Sequence, residues 1–306
     1  MLPFNVYTTL LVGFSTIVLG CVFNSWTVHV NLVDWRRGLR LSPSDQILSL
    51  MAAINILLQI VLSVDMSLLQ LLHVYMFGQF HRLFIVLSIS LVTCNLWVTT
   101  WLCTYYCLKI VNFSRGILLA LKMRSSALVP KLLVACVILS FGMTMVSHWN
   151  IYMKCYKGIT GNSTGDPADY ICYLEVQEGY RIAAFVALIL PLLLTLVPIG
   201  VTLASLWRHT RRIKKNETES CRPQTQAHVR AARTMILLVT LHTAFYGVVF
   251  SFFVKSFNVL EVGMLFSWYF VLLYPMMQSV VIITGNSKLW KACHRIFSPK
   301  RIPSTG

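Results

Sequence analysis

The sequence is poor in charged residues, and acidic residues are especially scarce. Only 12% of its 306 residues are charged, with 10 acidic against 26 basic side chains. A soluble domain carries about 25% charged residues, so most of this chain's surface cannot face water. The sequence also has no Cys-x-x-Cys pair and no histidine cluster with metal-ligand spacing. We therefore expect neither a soluble protein nor a bound metal or other cofactor.

Long polar segments are missing too, because apolar blocks take up most of the chain. A bilayer core requires about 20 consecutive, mostly apolar residues per helix. Seven blocks meet this requirement: 7–30, 47–69, 83–108, 132–149, 182–206, 235–254 and 262–284. They do not alternate apolar with polar residues, which excludes the strands of a β-barrel. The sequence predicts an all-α membrane protein, a single seven-transmembrane helix bundle over residues 1–306 with a short tail at 286–306.

The positive charges lie mostly on one side of this predicted bundle. Most of the 26 lysines and arginines fall in 36–40, 109–131, 208–233 and 288–301. The opposite side holds Arg82, Lys154, Lys157, Arg181 and Lys255. Because basic residues stay in the cytoplasm, the N-terminus is predicted to be extracellular and the C-terminus cytoplasmic. Helix one, with no Lys or Arg before it, is expected to be an uncleaved signal anchor. Because the one-sided distribution of the basic residues is explained by this orientation, the net charge of +16 does not indicate a nucleic-acid partner.

The longest predicted external segment spans residues 150–180. It contains Asn162-Ser163-Thr164, an acceptor pattern for N-glycosylation, so we expect a glycan on Asn162. The matches at Asn112 and Asn216 fall on the cytoplasmic side and should stay unmodified. Cys155 and Cys172 share this segment, and an oxidising compartment permits a disulfide between them. Sequence alone does not determine the connectivity, so both the bridged and the unbridged form stay open.

Short motifs at the ends of the predicted helices carry the most specific signal. They are DWRRGLRLSPSDQIL at 34–48, YYCLKIVNFS at 105–114, SLWRH at 205–209, AHVRAARTM at 227–235, QSVVIITGNSKLW at 278–290, and the single Asn24. In this order and spacing they resemble the motifs of the taste receptor type 2 family, the bitter taste receptors. Motifs of the rhodopsin-like receptors are absent, because helix three lacks Asp-Arg-Tyr and helix seven lacks Asn-Pro-x-x-Tyr.

Three positions depart from the pattern of that family. Asn55 stands where its members usually have arginine, Gln278 replaces a histidine, and Trp290 replaces a lysine. Such departures indicate a divergent member, from a non-mammalian vertebrate.

The resemblance implies a multi-pass receptor of the plasma membrane. It would detect bitter small molecules and activate a heterotrimeric G protein of the gustducin and inhibitory type. An enzyme is not expected, because polar residues suited to catalysis do not recur inside the spans. Type 1 vomeronasal receptors share the architecture, so a pheromone receptor is the alternative, although the 34–48 loop favours the taste branch. A small transporter is less favoured, because we find no internal repeat.

Candidate ligand-binding residues lie inside the predicted helices. Trp97 and Trp101 share a face of helix three, and the resemblance aligns Trp97 with a tryptophan of the ligand pocket. The alternative is that both only pack. Asp65 carries a charge that costs ~2.5–3.5 kcal/mol in a bilayer, so it should face the bundle interior unless it reaches the interface. The remaining candidates are His242, Tyr246, Ser267 and Trp268. We expect Asp65 and the two tryptophans to recognise cationic bitter compounds through ion pairing and cation–π attraction.

The resemblance assigns G-protein coupling to residues near the cytoplasmic ends of the helices. These residues are Tyr106, Lys109, His209, His228 and Lys288. For Lys109 and Lys288, anchoring to lipid phosphates is the alternative role, and the basic run RHTRRIKK at 208–215 has the same two interpretations. Cys293 follows helix seven and is a candidate for palmitoylation.

Overall fold

Eight helices and one two-stranded sheet form the part of the chain that the computed structural model describes, residues 2–71, 74–111, 116–145, 151–157, 170–216, 222–253 and 261–297. In chain order these elements are α1 (Leu2–Arg36), α2 (Pro43–Leu71), α3 (Val74–Ile110), α4 (Ile117–Met145), β1 (Ile151–Lys157), β2 (Tyr170–Val176), α5 (Glu178–Asn216), α6 (Arg222–Phe253), α7 (Glu261–Gly285) and α8 (Ser287–Phe297).

The helices α1 to α6 are each long and apolar enough to cross a membrane within the described residues. The end of α7 and most of α8 meet the same test only as a pair, Tyr269–Gly285 with Ser287–Arg295, bent by 93°. Counting this pair as one span gives seven. The structure thus confirms the predicted all-α membrane fold and agrees with a seven-helix bundle.

Several helices extend well beyond the apolar blocks that predicted them. Helix α4 begins at Ile117, although its apolar block begins at 132, and α5 continues to Asn216, although its block ends at 206. The added turns are rich in Ala, Leu, Lys and Arg, which are good helix formers in water as well as in lipid. Hydropathy therefore located the membrane-crossing part of each helix and not its ends.

The bundle buries polar side chains beside its apolar core and exposes many apolar side chains on its outer surface. Asn55, Asn95 and Gln278 are 0% exposed, whereas Ile138 on α4 is 65% exposed and Val197 on α5 is 64% exposed. This distribution suits lipid, because acyl chains meet the apolar surface while interior polar groups bond to one another. Helix α3 is central and packs against α2, α4, α5 and α6.

An antiparallel hairpin of β1 and β2 joins α4 to α5. The seven apolar blocks did not predict these strands, although IYMKCYK and YICYLEV are rich in the β-branched and aromatic residues that favour strands. The register makes Cys155 and Cys172 direct partners. Opposite residues in an antiparallel pair have Cα atoms about 4.5–5.5 Å apart, a separation that a disulfide accepts. The backbone is therefore compatible with the bridged form.

The hairpin and α8 define the two ends of the bundle. At the hairpin end, α2 and α4 finish and α3 and α5 begin. At the α8 end, α1 and α7 finish and α2 begins. We call these the hairpin end and the α8 end.

Candidate functional site: buried polar groups of the bundle

Four buried amide side chains join α1, α2, α3 and α7. Asn55 Nδ2 donates to Asn24 Oδ1 at 3.2 Å, and Asn95 Nδ2 donates to Asn55 Oδ1 at 2.6 Å. The amides of Asn95 and Gln278 donate to each other at 3.0 Å and 2.8 Å. None of the four residues is more than 1% exposed. Because an amide both donates and accepts, this amide network is bonded without any charge.

The sequence analysis did not identify Asn95, and it treated Asn55 and Gln278 only as departures from a family pattern. In the structure these two departures share one partner, since both bond to Asn95. A polar residue in an apolar span is costly and often functional, so Asn95 carried a usable signal. Its partners could not be read from sequence, because they depend on how each helix is rotated.

The amide network provides a depth reference for the predicted ligand-binding residues. Helices α2 and α3 run antiparallel, because two residues join them. Asp65 lies ten residues beyond Asn55 toward the hairpin end, a rise of about 15 Å. Trp97 and Trp101 lie two and six residues beyond Asn95 in the opposite direction. The helices therefore separate Asp65 from both tryptophans along the bundle axis, and a single cation that contacts all three stays a prediction.

The surroundings of these three side chains agree with that separation. Asp65 is 2% exposed, which places its carboxyl group inside the bundle and not on the lipid-facing surface. Trp97 and Trp101 are half-buried and pack against the main apolar core. Neither tryptophan lines the cavity described next.

A small cavity lies between α3, α5 and α6. Its polar lining comes from Thr99, Thr195 and His242. The rest of its lining is apolar: Leu96, Pro191, Leu192 and Val239. An apolar wall with a few convergent polar groups is typical of small-molecule sites. The space open to the centre of a water molecule is about 10 Å³, which is room for about one water, so this conformation admits no drug-sized ligand.

His242 lines this cavity with both ring nitrogens already engaged. Its Nδ1 lies 2.6 Å from the Leu238 carbonyl oxygen, and its Nε2 lies 2.8 Å from the Tyr274 hydroxyl. A carbonyl only accepts, so Nδ1 donates and a neutral ring accepts the Tyr274 proton at Nε2. Tyr274 also stacks on Phe245, with ring centroids 4.2 Å apart. His242 therefore joins α6 to α7, and its ring presents an edge or face to the cavity.

Tyr246 lies one helical turn from His242 toward the hairpin end. It is 8% exposed and packs with Leu96 and Leu188. Its hydroxyl has no hydrogen-bond partner among the described residues. A buried hydroxyl without a partner costs free energy, so it is available to a ligand or water molecule that can bond to it.

Several candidates share one level of the bundle. Tyr274, which pairs with His242, lies four residues from Gln278 toward the hairpin end, about 6 Å from the amide network. Ser267 and Trp268 are about 15–17 Å from it on α7. Tyr246 lies nearer the network, because it packs on Leu96, the chain neighbour of Asn95. The side chains of Ser267 and Trp268 lie outside the described residues. Asp65, Ser267 and Trp268 are therefore at similar depth.

The predicted coupling residues lie toward the α8 end. Lys109 is exposed at the end of α3, and Tyr106 is half-buried with its ring centroid 6.2 Å from that of Tyr105. His228 is half-buried on α6, and the side chain of His209 lies outside the described residues. Lys288 differs from the others, because its ammonium forms ion pairs with Asp34 and Asp45.

The fold and its buried polar groups define a multi-pass helical membrane protein with an internal cavity. A model of the taste receptor protein family (TAS2R) matches residues 1–301, and the chain belongs to this family. It is 28% identical over 303 residues to taste receptor type 2 member 7 of Macaca mulatta, covering 95% of this chain and 93% of the relative. The rat member 7 is 29% identical over 299 residues, covering 94% of each chain. Member 8 of Papio hamadryas is 26% identical over 316 residues, covering 97% of each. The resemblance read from the helix-end motifs is thus confirmed.

Proposed function

We propose that this chain is a bitter taste receptor, a G-protein-coupled receptor of the plasma membrane that detects bitter small molecules. The match of residues 1–301 to the taste receptor family carries the proposal. The cavity between α3, α5 and α6 supports it, because a receptor needs an internal surface whose occupation can move helices. The proposed intracellular partner is a heterotrimeric G protein of the gustducin and inhibitory type.

A panel of bitter compounds tests this function in cells that carry a gustducin-like chimeric G protein. At least one compound is expected to raise cytosolic calcium only in cells expressing the receptor at their surface. If the panel is silent while pheromone-type odorants give responses, the chain is a vomeronasal-like receptor. Substrate flux without G-protein signalling would identify a transporter.

The proposed orientation places the hairpin end outside the cell and the α8 end in the cytoplasm. Most lysines and arginines lie in the segments at the α8 end. Basic residues prefer the cytoplasmic side of a membrane, so this end is proposed to be cytoplasmic. We expect a glycan on Asn162, so glycosidase treatment should increase the mobility of the receptor on a gel. Asn162→Gln should remove this shift, while Asn112→Gln and Asn216→Gln serve as controls that keep it. A glycan on Asn216 would reverse the proposed orientation.

The proposed ligand site is the level of the bundle that holds Asp65. A cationic ligand at this depth would pair with its carboxylate, and low water content would strengthen the attraction. The backbone of Trp268 on α7 lies at the same level, and an aromatic ring in contact with the cation would add ~0.5–2 kcal/mol of cation–π attraction. We do not assign this cation–π contact to Trp97 and Trp101, because they lie on the other side of the amide network. The rival interpretation is that Asp65 only supports folding.

Asp65→Asn removes the charge and keeps the size and polarity of the side chain. At equal surface expression, we expect the EC50 for cationic agonists to rise about tenfold or more, because one ion pair worth about 1.4 kcal/mol or more is lost. Neutral agonists should change little in the calcium assay. The matched control is Thr93→Val, which should change neither class of agonist, because the Thr93 hydroxyl is buried and bonds to Ile89 of its own helix. Equal losses for both classes in Asp65→Asn would indicate a folding role, and no loss would place Asp65 outside the site.

A further inference from the structure

A second polar cluster ties α8 to the ends of α1 and α2. The Lys288 ammonium lies 2.7 Å from Asp34 Oδ2 and 3.3 Å from Asp45 Oδ2. It also donates to Asn31 Oδ1 at 2.8 Å. An ammonium carries three protons, so three acceptors can engage all of them. We call Asn31, Asp34, Asp45 and Lys288 the α8 clamp.

The acceptors of the clamp are themselves held in place. Asn31 Nδ2 donates to Ser49 Oγ at 2.9 Å and to the Asp45 carbonyl oxygen at 3.3 Å. The side chains of Asp34 and Asp45 are 26% and 14% exposed, against 32% for Lys288. An ion pair with fixed, partly buried acceptors is screened less than a pair on the open surface, and less side-chain entropy is lost in forming it. The clamp is therefore a defined contact between three helices.

The clamp lies where the chain turns sharply. Helix α8 makes an angle of 93° with α7. Asn286 Oδ1 accepts the backbone N–H groups of Lys288 at 2.9 Å and Leu289 at 3.3 Å, which caps the start of α8. Leu289 is 0% exposed, so it anchors the first turn in the apolar core. Leu289 and Lys288 together fix two points of this turn and with them the direction of α8.

We propose that Lys288 is a positioning residue, which sets the orientation of α8 against α1 and α2 and does not itself contact the G protein. Both roles predicted from sequence, direct coupling and lipid anchoring, need an ammonium that is free to leave its neighbours. In the structure the Lys288 ammonium is bound by the side chains of Asp34, Asp45 and Asn31. Lys291 lies one turn further along α8, is exposed, and is the lysine that offers its charge to lipid or a partner.

A distance measurement across the clamp tests the proposal without any agonist. Trp35 at the end of α1 and Trp290 on α8 are 62% and 46% exposed, so a spin-labelled amino acid can replace each in the full receptor in nanodiscs. We expect one narrow interlabel distance peak in the parent protein. Lys288→Met should abolish the narrow peak, because two carboxylates then face each other without a cation. Lys288→Asp combined with Asp34→Lys should restore it.

Two further variants keep the test decisive. Lys291→Met is the matched control, since it removes the same charge from the same helix and should leave the peak narrow. Asp34→Asn is milder than Lys288→Met, because Asp45 still pairs with Lys288, and should broaden the peak even if Lys288→Met does not fold. An unchanged peak in both Lys288→Met and Asp34→Asn would overturn the proposal, as would an equal loss in Lys291→Met.

The effect of the clamp on signalling rests on the proposed function. With equal agonist binding, Lys288→Met should lose G-protein activation, and the charge-exchange variant should regain it. Recovery of signalling would distinguish positioning from direct contact, because the charge-exchange variant has an acid at position 288 and could not contact the G protein as a lysine does. A receptor that answers no agonist would contradict the proposed function and leave the distance result standing. Loss of signalling that the charge exchange does not restore, despite a restored peak, would assign Lys288 to direct coupling.

Discussion

Asn95→Leu is expected to lower the thermal unfolding midpoint of the purified receptor by about 4–10 °C and to reduce its surface expression severely. Asn95 holds the centre of the amide network, with one bond to Asn55 and two to Gln278. Leucine cannot form these bonds, so the amides of Asn55 and Gln278, both 0% exposed, lose Asn95 as a partner. Interhelical hydrogen bonds in membranes contribute about 0.6–1.7 kcal/mol each, so three lost bonds cost about 2–5 kcal/mol. Each kcal/mol corresponds to about 2 °C in a protein of this size.

The buried cysteines provide the signal for this measurement. Cys94, Cys103, Cys107 and Cys136 are between 0% and 6% exposed, so a thiol-reactive dye labels them as the bundle opens. Thr93→Val is the matched control, because Thr93 is also buried on α3 but its hydroxyl bonds to Ile89 of its own helix. Equal midpoints for Asn95→Leu and Thr93→Val would show that the amide network does not hold the helices together.

Gly285→Ala is expected to destabilise the α8 end of the bundle by about 1–3 kcal/mol, the usual cost of overpacking. A Cβ atom at Gly285 would overlap the Thr234 side chain of α6, lying 2.7 Å from Cγ2 and 2.9 Å from Cβ. Thr234 is β-branched and therefore stiff, and it is 4% exposed. The side chain cannot turn aside, so α6 and α7 must separate where α7 meets the clamped start of α8.

The double-mutant cycle with Thr234→Ala tests this contact. Removing the threonine hydroxyl and methyl group leaves only Cβ near position 285, so the double variant should be more stable than Gly285→Ala alone. Gly142→Ala is the control, because a Cβ at Gly142 meets no atom within 4 Å. If Thr234→Ala and Gly285→Ala lower the unfolding midpoint additively, the close approach of α6 and α7 at this point does not exist.

Hydropathy predicted the helices, because lipid imposes a length and a composition that a single sequence displays. It did not predict where α4 begins or where α5 ends, since water also supports helices rich in Lys, Arg and Ala. Hydropathy also did not predict the strands of the hairpin, although their residue types favour strands. The family resemblance located motifs such as QSVVIITGNSKLW but gave no contacts, and so it did not predict the ion pairs of Lys288 with Asp34 and Asp45.

The site was less predictable than the fold, because it depends on contacts between helices. Asp65, Trp97 and Trp101 are each inside a span, but a sequence does not show the bond between Asn55 and Asn95. That single contact fixes the relative height of α2 and α3. Once it is known, the rise of 1.5 Å per residue separates Asp65 from both tryptophans.

The most direct test of the central claim is nucleotide exchange by a purified G protein. The receptor is reconstituted in nanodiscs with a heterotrimeric G protein of the inhibitory class and a bitter agonist found in the cell panel. We predict that the agonist accelerates GTP binding, and that Asp65→Asn weakens this effect for a cationic agonist and preserves it for a neutral one. Agonist binding to the folded receptor without any acceleration, for either kind of agonist, would contradict the account.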